Sequence, residues 1–252
     1  GDSSLLSTSS GTDILIDAGP ESAGETVLAL LNAKGITELD VIVISHNHAD
    51  HLGGLVAVLQ SSIAVGSILY NGNACATVIC QEVWAEMGTR GLTPQAVDAG
   101  DSFTWGPVTS AVLNPQSPPN GDENEDSIVM HVAFYEVDLL TTGDIGFATE
   151  TLLLDGGVLV PVEVLKVAHH GSAGSTSTDF LAAVTPGVSV ISVGAENAYD
   201  HPSEETLSRL ADSGTDVHRT DQAGTITFKF NPDGAQIVPL LIYLPLMTGG
   251  GD

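Results

Sequence analysis

Short apolar runs alternate with segments of helical spacing along the first half of the chain. The apolar runs predict strands over residues 13–17, 40–45 and 63–70. Leucine and valine at helical spacing, followed by Gly35, predict a helix over residues 21–34. The other elements predicted in this half are helices over residues 52–60 and 76–87, short strands over residues 96–113 and a polar loop over residues 114–126.

The same alternation continues in the second half. Strands are predicted over residues 127–134, 137–142, 162–168, 188–193, 217–220 and 225–230. Helices are predicted over residues 145–154, 177–184 and 203–211. Because each half begins with strands and continues with alternating helices, the pattern predicts an α/β protein with two stacked sheets between outer helices, an αββα sandwich. No linker or short-period repeat interrupts it, so we expect a single domain.

Composition excludes several classes of protein. The chain has 252 residues, of which 42% are hydrophobic and 15% charged, which rules out intrinsic disorder. It has 32 acidic residues but only six Lys and Arg, giving a formal net charge of −26. Such a charge repels nucleic acid and anionic membranes at long range, so long duplex DNA is not an expected partner.

The two ends of the chain and its two cysteines lead to further expectations. The most apolar stretch, residues 237–247, is shorter than the ~20 residues of a membrane span and contains two prolines. It predicts a docking tail or an extra edge strand. The first residue is Gly1 and not Met, which indicates a trimmed or processed product. Cys75 and Cys80 are compatible either with a disulfide in an oxidising compartment or with two buried thiols.

Histidine placement is the most informative chemical feature. Six of the eight histidines fall in clusters that follow a strand-like run or a sharp turn, where α/β folds place their sites. These six are His46, His48, His51, His169, His170 and His201. The remaining two, His131 and His218, are expected to be structural.

The densest cluster has the composition of a metal site. Residues 46–51 read HNHADH, which places three imidazoles and the Asp50 carboxylate in one loop. Imidazole and carboxylate suit zinc, iron or manganese, and burying four such groups without an ion would be unfavourable. Four ligands exceed what one tetrahedral ion takes from so tight a loop, so we expect two adjacent ions that share a hydroxide nucleophile. Asp144, at the end of an apolar strand, is the candidate bridging carboxylate.

These motifs together resemble a known family. The string HxHxDH followed by LGG resembles the signature of the metallo-β-lactamase fold hydrolases. Further segments narrow the resemblance to the ComEC-type subgroup, which comprises the hydrolase domain of the DNA-uptake protein ComEC and its free-standing relatives. These segments are GDS (1–3), ILIDAGP (14–20), SIV (127–129), LLTTGD (139–144), LKVAHHGS (165–172), NAYDHPS (197–203), RTD (219–221) and GTI (224–226).

The resemblance covers residues 1–230 and implies a domain organisation. Residues 1–230 are expected to form the metallo-β-lactamase-like hydrolase domain, and residues 231–252 a tail or an edge strand. The first strand of the family is expected to precede Gly1 and to be missing. ComEC sets this domain beside membrane helices. The acidic charge and the additional tail favour a soluble relative over an excised domain.

The resemblance also implies roles for individual residues. The expected metal ligands are His46, His48, Asp50, His51, Asp144 and His169. The residues expected in catalysis or substrate contact are Asp50, His170 and His201. The third-motif histidine of the fold is absent, and Asn124 or Ser127 is expected to contact the metal weakly or to orient the substrate. Asp17 is expected either to support a ligand histidine or to cap a turn, and Lys166 to point into the sheet.

The function expected from this resemblance is a dinuclear metal-dependent phosphodiesterase or nuclease with zinc, or else manganese or iron, as its two ions. Its expected substrates are small or short phosphodiesters, and no membrane-spanning segment is expected. One alternative is a β-lactamase or lactonase, which ranks lower because six basic residues offer little to clamp a substrate carboxylate. The other alternative is a non-catalytic metal-binding module. A secreted or cell-surface location is favoured over a cytoplasmic one.

Overall fold

Two sheets form the centre of the molecule in a computed structural model, which describes residues 1–230 and 238–240. The first sheet has five strands in the order β1-β2-β3-β4-β5, with β1 antiparallel to β2 and the other pairs parallel. Its strands are β1 Ser3–Ser7, β2 Asp13–Ala18, β3 Glu38–Ile44, β4 Ala64–Tyr70 and β5 Gln95–Ala96.

The second sheet has seven strands in the order β12-β11-β10-β9-β8-β7-β6. The four strands from β12 to β9 are parallel to their neighbours, and β9, β8, β7 and β6 are antiparallel. Its strands are β6 Ser102–Trp105, β7 Val108–Asn114, β8 Val129–Phe134, β9 Val137–Thr141, β10 Val164–Lys166, β11 Val188–Ile191 and β12 Asp216–Arg219. A separate antiparallel pair consists of β13 Phe228–Phe230 and β14 Val238–Leu240.

Helices cover the outer face of each sheet. They are α1 Gly24–Ala33, α2 Ala49–Leu52, α3 Leu55–Gln60, α4 Val78–Thr89, α5 Phe147–Gly156, α6 Thr178–Val184, α7 Glu204–Ser213 and α8 Thr220–Ala223. In α6 and α7 the side chains of Ser177 and Ser203 accept hydrogen bonds from backbone N–H groups of the first turn, which explains where these helices begin. Within the described residues, no helix has the length and apolar character needed to cross a bilayer.

Three hydrophobic clusters correspond to the spaces between these layers. One lies between the sheets and includes Ile14 and Val43 from the first sheet and Met130 and Val190 from the second. Another packs the first sheet against α1, α3 and α4, and a third packs the second sheet against α5, α6 and α7. The predicted αββα sandwich is confirmed.

Two local features differ from the predicted elements. Residues 3–7, for which no strand was predicted, form β1. The single helix predicted over residues 52–60 is two helices, separated at Gly53 and Gly54. A Cβ on Gly54 would lie 2.0 Å from the carbonyl oxygen of Ala18, so the close approach of β2 requires glycine there.

The two cysteines form a disulfide, which answers the question that their spacing left open. Cys80 lies in the first turn of α4, whereas Cys75 lies in the loop before it. The pair therefore does not have to span one helix. The prediction for residues 231–252 falls mostly outside the described residues, of which only β14 belongs to this range.

Candidate metal centre

Three segments from the two sheets converge on one point. The loop after β3 and the helix α2 that follows it carry the cluster of residues 46–51, and the loop after β9 carries Asp144. The turn after β10 carries His169 and His170. Since β9 and β10 are adjacent parallel strands, their carboxyl ends bring Asp144 and the histidine pair to the same edge of the second sheet.

Asp144 lies at the centre of this group of side chains. Its Oδ2 atom is 3.3 Å from the Nε2 atoms of both His51 and His170. The Nε2 atoms of His169 and His46 lie 3.9 and 4.0 Å from the same oxygen. Burial by itself would raise the pKa of Asp144, but the attraction of His51 and His170 holds it well below its usual value.

Asp17 supports His51 from behind. Its Oδ2 atom lies 2.8 Å from Nδ1 of His51 and accepts a hydrogen bond of 2.7 Å from the hydroxyl of Ser45. Burial lowers the pKa of His51, but the carboxylates of Asp144 and Asp17 outweigh it and raise this pKa to about 10. Of the two roles expected for Asp17, contact with a histidine of the metal motif is the one observed. A carboxylate on Nδ1 fixes the ring so that Nε2 faces the centre.

His170 has a similar partner in Asp2. Its Nδ1 atom lies 3.3 Å from Oδ1 of Asp2 and 2.9 Å from the carbonyl oxygen of Ser192. Its Nε2 atom lies 3.3 Å from Oδ2 of Asp50, the same separation as from Asp144. Burial would lower the pKa of His170, but Asp144 and Asp2 raise it well above its usual value. His170 therefore bridges carboxylates of both halves of the chain.

A buried ion pair adjoins this group. The Nζ atom of Lys166 contacts the carboxylate of Asp2 and donates a hydrogen bond of 3.2 Å to the carbonyl oxygen of Gly143. Both side chains are 4% exposed, so neither charge is solvated. Burial opposes the charged forms, but their mutual attraction raises the pKa of Lys166 and lowers that of Asp2. Lys166 thus ties β1 to the loop that carries Asp144.

His46 contacts both His48 and Ser127. Nε2 of His46 is 3.0 Å from Nδ1 of His48, and Nδ1 of His46 is 3.3 Å from the hydroxyl of Ser127. That hydroxyl also accepts a 3.0 Å hydrogen bond from the backbone N–H of Asp144. Burial lowers the pKa of His46 well below its usual value, which keeps this ring neutral.

Glycine at position 143 makes this contact possible. Its φ of 49° lies in the left-handed region. A Cβ there would lie 2.6 Å from Cβ of Ser127. Ser127 therefore orients both His46 and Asp144, while Asn124 lies one turn earlier. The carbonyl oxygen of Asn124 accepts the N–H of Ser127, and its buried Oδ1 atom has no hydrogen-bond partner.

The histidine pair and His201 form the outer side of the centre. His169 and His170 both have left-handed backbone angles, φ 48° and 53°, and this turn directs both rings toward the centre. The ring of His201 meets that of His169 edge to face, with centroids 5.8 Å apart. Burial and the neighbouring imidazoles of His169 and His170 lower the pKa of His201.

The residues of this centre fit a divalent cation. The buried atoms of this centre without a hydrogen-bond partner include Nε2 of His51, Nε2 of His170 and Oδ1 of Asp144. Ligand atoms of Asp2, His51, Asp144 and His170 all lie within 4.8 Å of one another. Unpartnered buried nitrogen and oxygen atoms are unfavourable unless an ion completes them, and this donor set suits divalent transition metals.

Of the six predicted ligands, His51 and Asp144 belong to this compact group, and the structure adds Asp2 and His170 to it. His46 and His169 lie 4.0 and 3.9 Å from Asp144, Asp50 lies 3.3 Å from His170, and His48 lies 3.0 Å from His46. The chemical roles of His46, His48, Asp50, His169, His170 and His201 remain predictions. Asp2 was not among the expected site residues, because an acidic residue just before a serine-rich strand follows no metal-binding spacing. The only signal for it was its place in the GDS segment. Lys166, expected to lie next to the site and to point into the sheet, is buried and contacts Asp2 beside the centre.

Comparison with known proteins identifies the family. Residues 1–195 match the family model described as the metallo-beta-lactamase superfamily. The chain belongs to this superfamily. Proteins of the metallo-beta-lactamase superfamily are typically metal-dependent hydrolases, in agreement with the centre described above.

Two curated proteins are similar to most of this member of the superfamily. The chain is 35% identical over 243 residues to competence protein ComA of Neisseria gonorrhoeae, covering 95% of this chain and 32% of that protein. It is 31% identical over 212 residues to ComE operon protein 3 of Bacillus subtilis (strain 168), covering 84% of this chain and 27% of that protein. The resemblance to the ComEC-type subgroup is confirmed, although the chain spans a third or less of the length of these relatives.

A solved structure agrees on the fold. The metallo-beta-lactamase fold protein YhfI from Bacillus subtilis has a TM-score of 0.50 to this chain at 14% sequence identity. The likeness covers 84% of this chain and 86% of that one. At this level of identity, the likeness concerns the metallo-beta-lactamase fold alone.

Proposed function

We propose that this domain is a dinuclear metal-dependent phosphodiesterase that acts on small or short single-stranded phosphodiesters. The observation that carries the proposal is the position of Asp144, whose Oδ2 atom lies within 4.0 Å of four imidazole Nε2 atoms from two loops. A carboxylate surrounded in this way is suited to lie between two cations.

Two sets of side chains would hold the ions. Asp2, His51, Asp144 and His170 form one compact group. His46, His48, Asp50 and His169 surround it and would complete the coordination of a second ion. When bound, the two ions would supply a hydroxide nucleophile and would polarise the phosphoryl oxygens. Zinc suits this mixture of imidazole and carboxylate best, and manganese or iron are the alternatives.

The chain's own residues would orient the ligands and handle protons. Asp17 and Ser127 hold His51 and His46 through contacts of 2.8 and 3.3 Å. His201 lies at the open side of the centre, where it would donate a proton to the leaving oxygen. Its lowered pKa makes the protonated ring a stronger acid, present over a lower pH range than for an ordinary histidine.

Charge decides which phosphodiesters are suitable. The net charge of −26 opposes the approach of a long polyanion. The side chains of Arg90, Lys166, Arg209 and Arg219 are engaged in contacts within the fold. A short substrate carries few phosphates and can be held mainly by the ions. The name of the relative from Neisseria gonorrhoeae, which refers to competence, favours a nucleotide-containing substrate.

Parallel turnover assays test this proposal. Bis-p-nitrophenyl phosphate and nitrocefin would be offered to the protein with Zn²⁺ or Mn²⁺ added. We expect metal-dependent hydrolysis of the phosphodiester, abolished by a chelator, and no turnover of nitrocefin. Hydrolysis of nitrocefin alone would instead assign the centre to cyclic amides, and bound metal without turnover of either compound would indicate a binding module.

We also propose that the domain works outside the cytoplasm. The support is the disulfide between Cys75 and Cys80, since such bonds persist mainly in oxidising compartments. Mass spectrometry of the protein isolated from its native host, alkylated before and after reduction, tests this. Two free thiols in the unreduced protein would contradict it.

A further inference from the structure

An exposed aromatic ring stands at the open side of the metal centre. The side chain of Tyr199 is 78% exposed, although its neighbour His201 is half-buried. The two rings are stacked, with centroids 5.9 Å apart and an angle of 25° between their planes. Single exposed side chains are common on protein surfaces, so the informative feature of Tyr199 is its position against His201 and not its exposure alone.

Hydrogen bonds to the side chain of Asn197 hold the loop that carries Tyr199. Oδ1 of Asn197 accepts hydrogen bonds from the backbone N–H groups of Tyr199, at 3.2 Å, and of His201, at 2.9 Å. Its Nδ2 atom donates to the carbonyl oxygens of Gly194 and His201, at 3.0 and 2.7 Å. One amide side chain therefore closes this loop and sets the position of Tyr199 in advance.

A chain of aromatic rings leads from Tyr199 to the centre. His201 lies against Tyr199 on one side and meets His169 on the other, with centroids 5.8 Å apart. Nε2 of His169 is 3.9 Å from Oδ2 of Asp144. A substituent of a phosphodiester held at the centre would meet Tyr199 if it extended along this row of rings.

Few basic side chains are available near the centre to hold a phosphodiester substrate, so an uncharged contact with the substrate is useful there. Lys166, the basic residue that contacts the centre, is buried and paired with Asp2. Arg209 donates to the carbonyl oxygens of Thr176 and Ser175, and so serves the fold. An aromatic face binds a nucleobase without adding charge, and it accepts any base because every base has a π-face.

We propose that Tyr199 is a stacking platform for the nucleobase next to the scissile phosphodiester. The proposal rests on the proposed phosphodiesterase function and deepens it, because it identifies the substrate class as nucleotide-containing. It also makes Tyr199 a substrate-binding residue. Its hydroxyl is not required, since the ring face makes the contact.

Three variants separate stacking from other effects. Tyr199→Ala removes the ring, and Tyr199→Phe keeps the ring but removes the hydroxyl. Tyr135→Ala is the matched control, because Tyr135 is also exposed, at 60%, but lies in the hairpin turn at the opposite end of β9 from Asp144. Each variant would be assayed in its metal-loaded form with a dinucleoside phosphodiester and with the same diester lacking one base.

For Tyr199→Ala, we expect KM for the base-bearing diester to rise about 5- to 20-fold, the lower part of the range for one base–aromatic stack. Its kcat should stay within about twofold, since an exposed stack contributes to binding and not to the chemical step. The diester without the base should be hydrolysed as by the wild type. Tyr199→Phe and Tyr135→Ala should match the wild type with both diesters.

A binding measurement tests the stacking proposal without requiring that the protein hydrolyse either diester. Equilibrium dialysis of a nucleoside monophosphate and of ribose 5-phosphate against the metal-loaded protein should show a preference for the nucleotide that Tyr199→Ala removes. If the wild type hydrolyses neither diester, the phosphodiesterase function is wrong, and this dialysis still decides on the stacking platform. Equal effects of Tyr199→Ala on both dialysed ligands, or no effect on either, would overturn the stacking proposal.

Discussion

The Nε2 atom of His51 lies 3.3 Å from Oδ2 of Asp144, although the two residues belong to opposite halves of the sandwich. His51 follows β3 of the first sheet, and Asp144 follows β9 of the second. The imidazole of His51, whose pKa is raised, and the carboxylate of Asp144, whose pKa is lowered, are both buried and meet where the two sheets adjoin. The centre is therefore a product of the whole fold, since neither sheet carries it alone.

Replacing Asp144 should remove the carboxylate that connects the histidines of the two halves. We expect Asp144→Asn to lower the bound metal substantially and to abolish phosphodiester hydrolysis, because outer partners of metal ligands already contribute about 10- to 100-fold in affinity or activity. Asp138→Asn is the matched control, since Asp138 pairs with His131 at the start of β9. Metal content by mass spectrometry checks both variants. Unchanged metal and activity in Asp144→Asn would remove Asp144 from the centre.

Much of this centre could be predicted from the sequence, because its residues follow strands in recognisable strings. The spacing of His46, His48, Asp50 and His51 fixes them in one loop, and the apolar run before Asp144 fixes the end of a strand. Asp144 could be proposed as the bridging carboxylate from its place at a strand end, whereas His169 entered the ligand set only through the family resemblance.

The contributions of Asp2 and Lys166 could not be predicted in the same way. The serine-rich segment of β1 contains only two adjacent apolar residues, Leu5 and Leu6, so no alternation marks it as a strand. Its burial comes from pairing with β2 and from the layers packed around it. A lysine inside an apolar run gives no sign of its partner, since the Asp2 contact exists only in the folded chain.

The ion pair of Lys166 and Asp2 should matter for stability even without metal. Lys166→Met would remove the lysine charge beside the Asp2 carboxylate and leave His170 as its remaining close partner, so we expect a loss of about 3 kcal/mol in the free energy of unfolding. Asp2→Asn combined with Lys166→Met should cost less than the lysine change alone. Urea unfolding with a chelator present measures this, and Lys229→Met on exposed β13 is the control. Equal stability of Lys166→Met and Lys229→Met would contradict the account.

The stability of the metal-free protein should fall as pH rises. The pKa of His51 is about 10 in the folded protein, against about 6.5 for an ordinary histidine. Protonated His51 therefore stabilises the fold fully below pH ~6.5, and this contribution is lost as pH rises toward 10, by up to about 1.4 kcal/mol per pH unit. Urea titrations at several pH values with a chelator present test this. Constant stability from pH 6.5 to 9.5 would be incompatible with it.

Metal should show the opposite pH dependence, because ions replace the protons on His51 and His170. The apparent affinity for Zn²⁺ should therefore increase with pH, with release of protons that calorimetry in two buffers can count. Binding without proton release would mean that these two rings are not displaced by metal.

His201 should act on the substrate and leave the metal in place. We expect His201→Ala to keep its bound metal but to lose about 10²- to 10⁴-fold in turnover of an unactivated diester. The loss should be smaller with p-nitrophenyl esters, whose leaving group needs no proton. Turnover of the unactivated diester by the wild type should also fall as pH rises through the lowered pKa of His201. An equal loss on both substrates would make His201 a binding residue, and loss of metal would make it a ligand.

The most direct test of the metal centre is a crystal structure of the zinc-loaded protein with anomalous diffraction recorded at the zinc edge. Two anomalous peaks flanking the carboxylate of Asp144, in contact with imidazoles from both the loop after β3 and the turn after β10, are the predicted result. A single peak away from Asp144, or none among these side chains at full zinc occupancy in solution, would contradict the account.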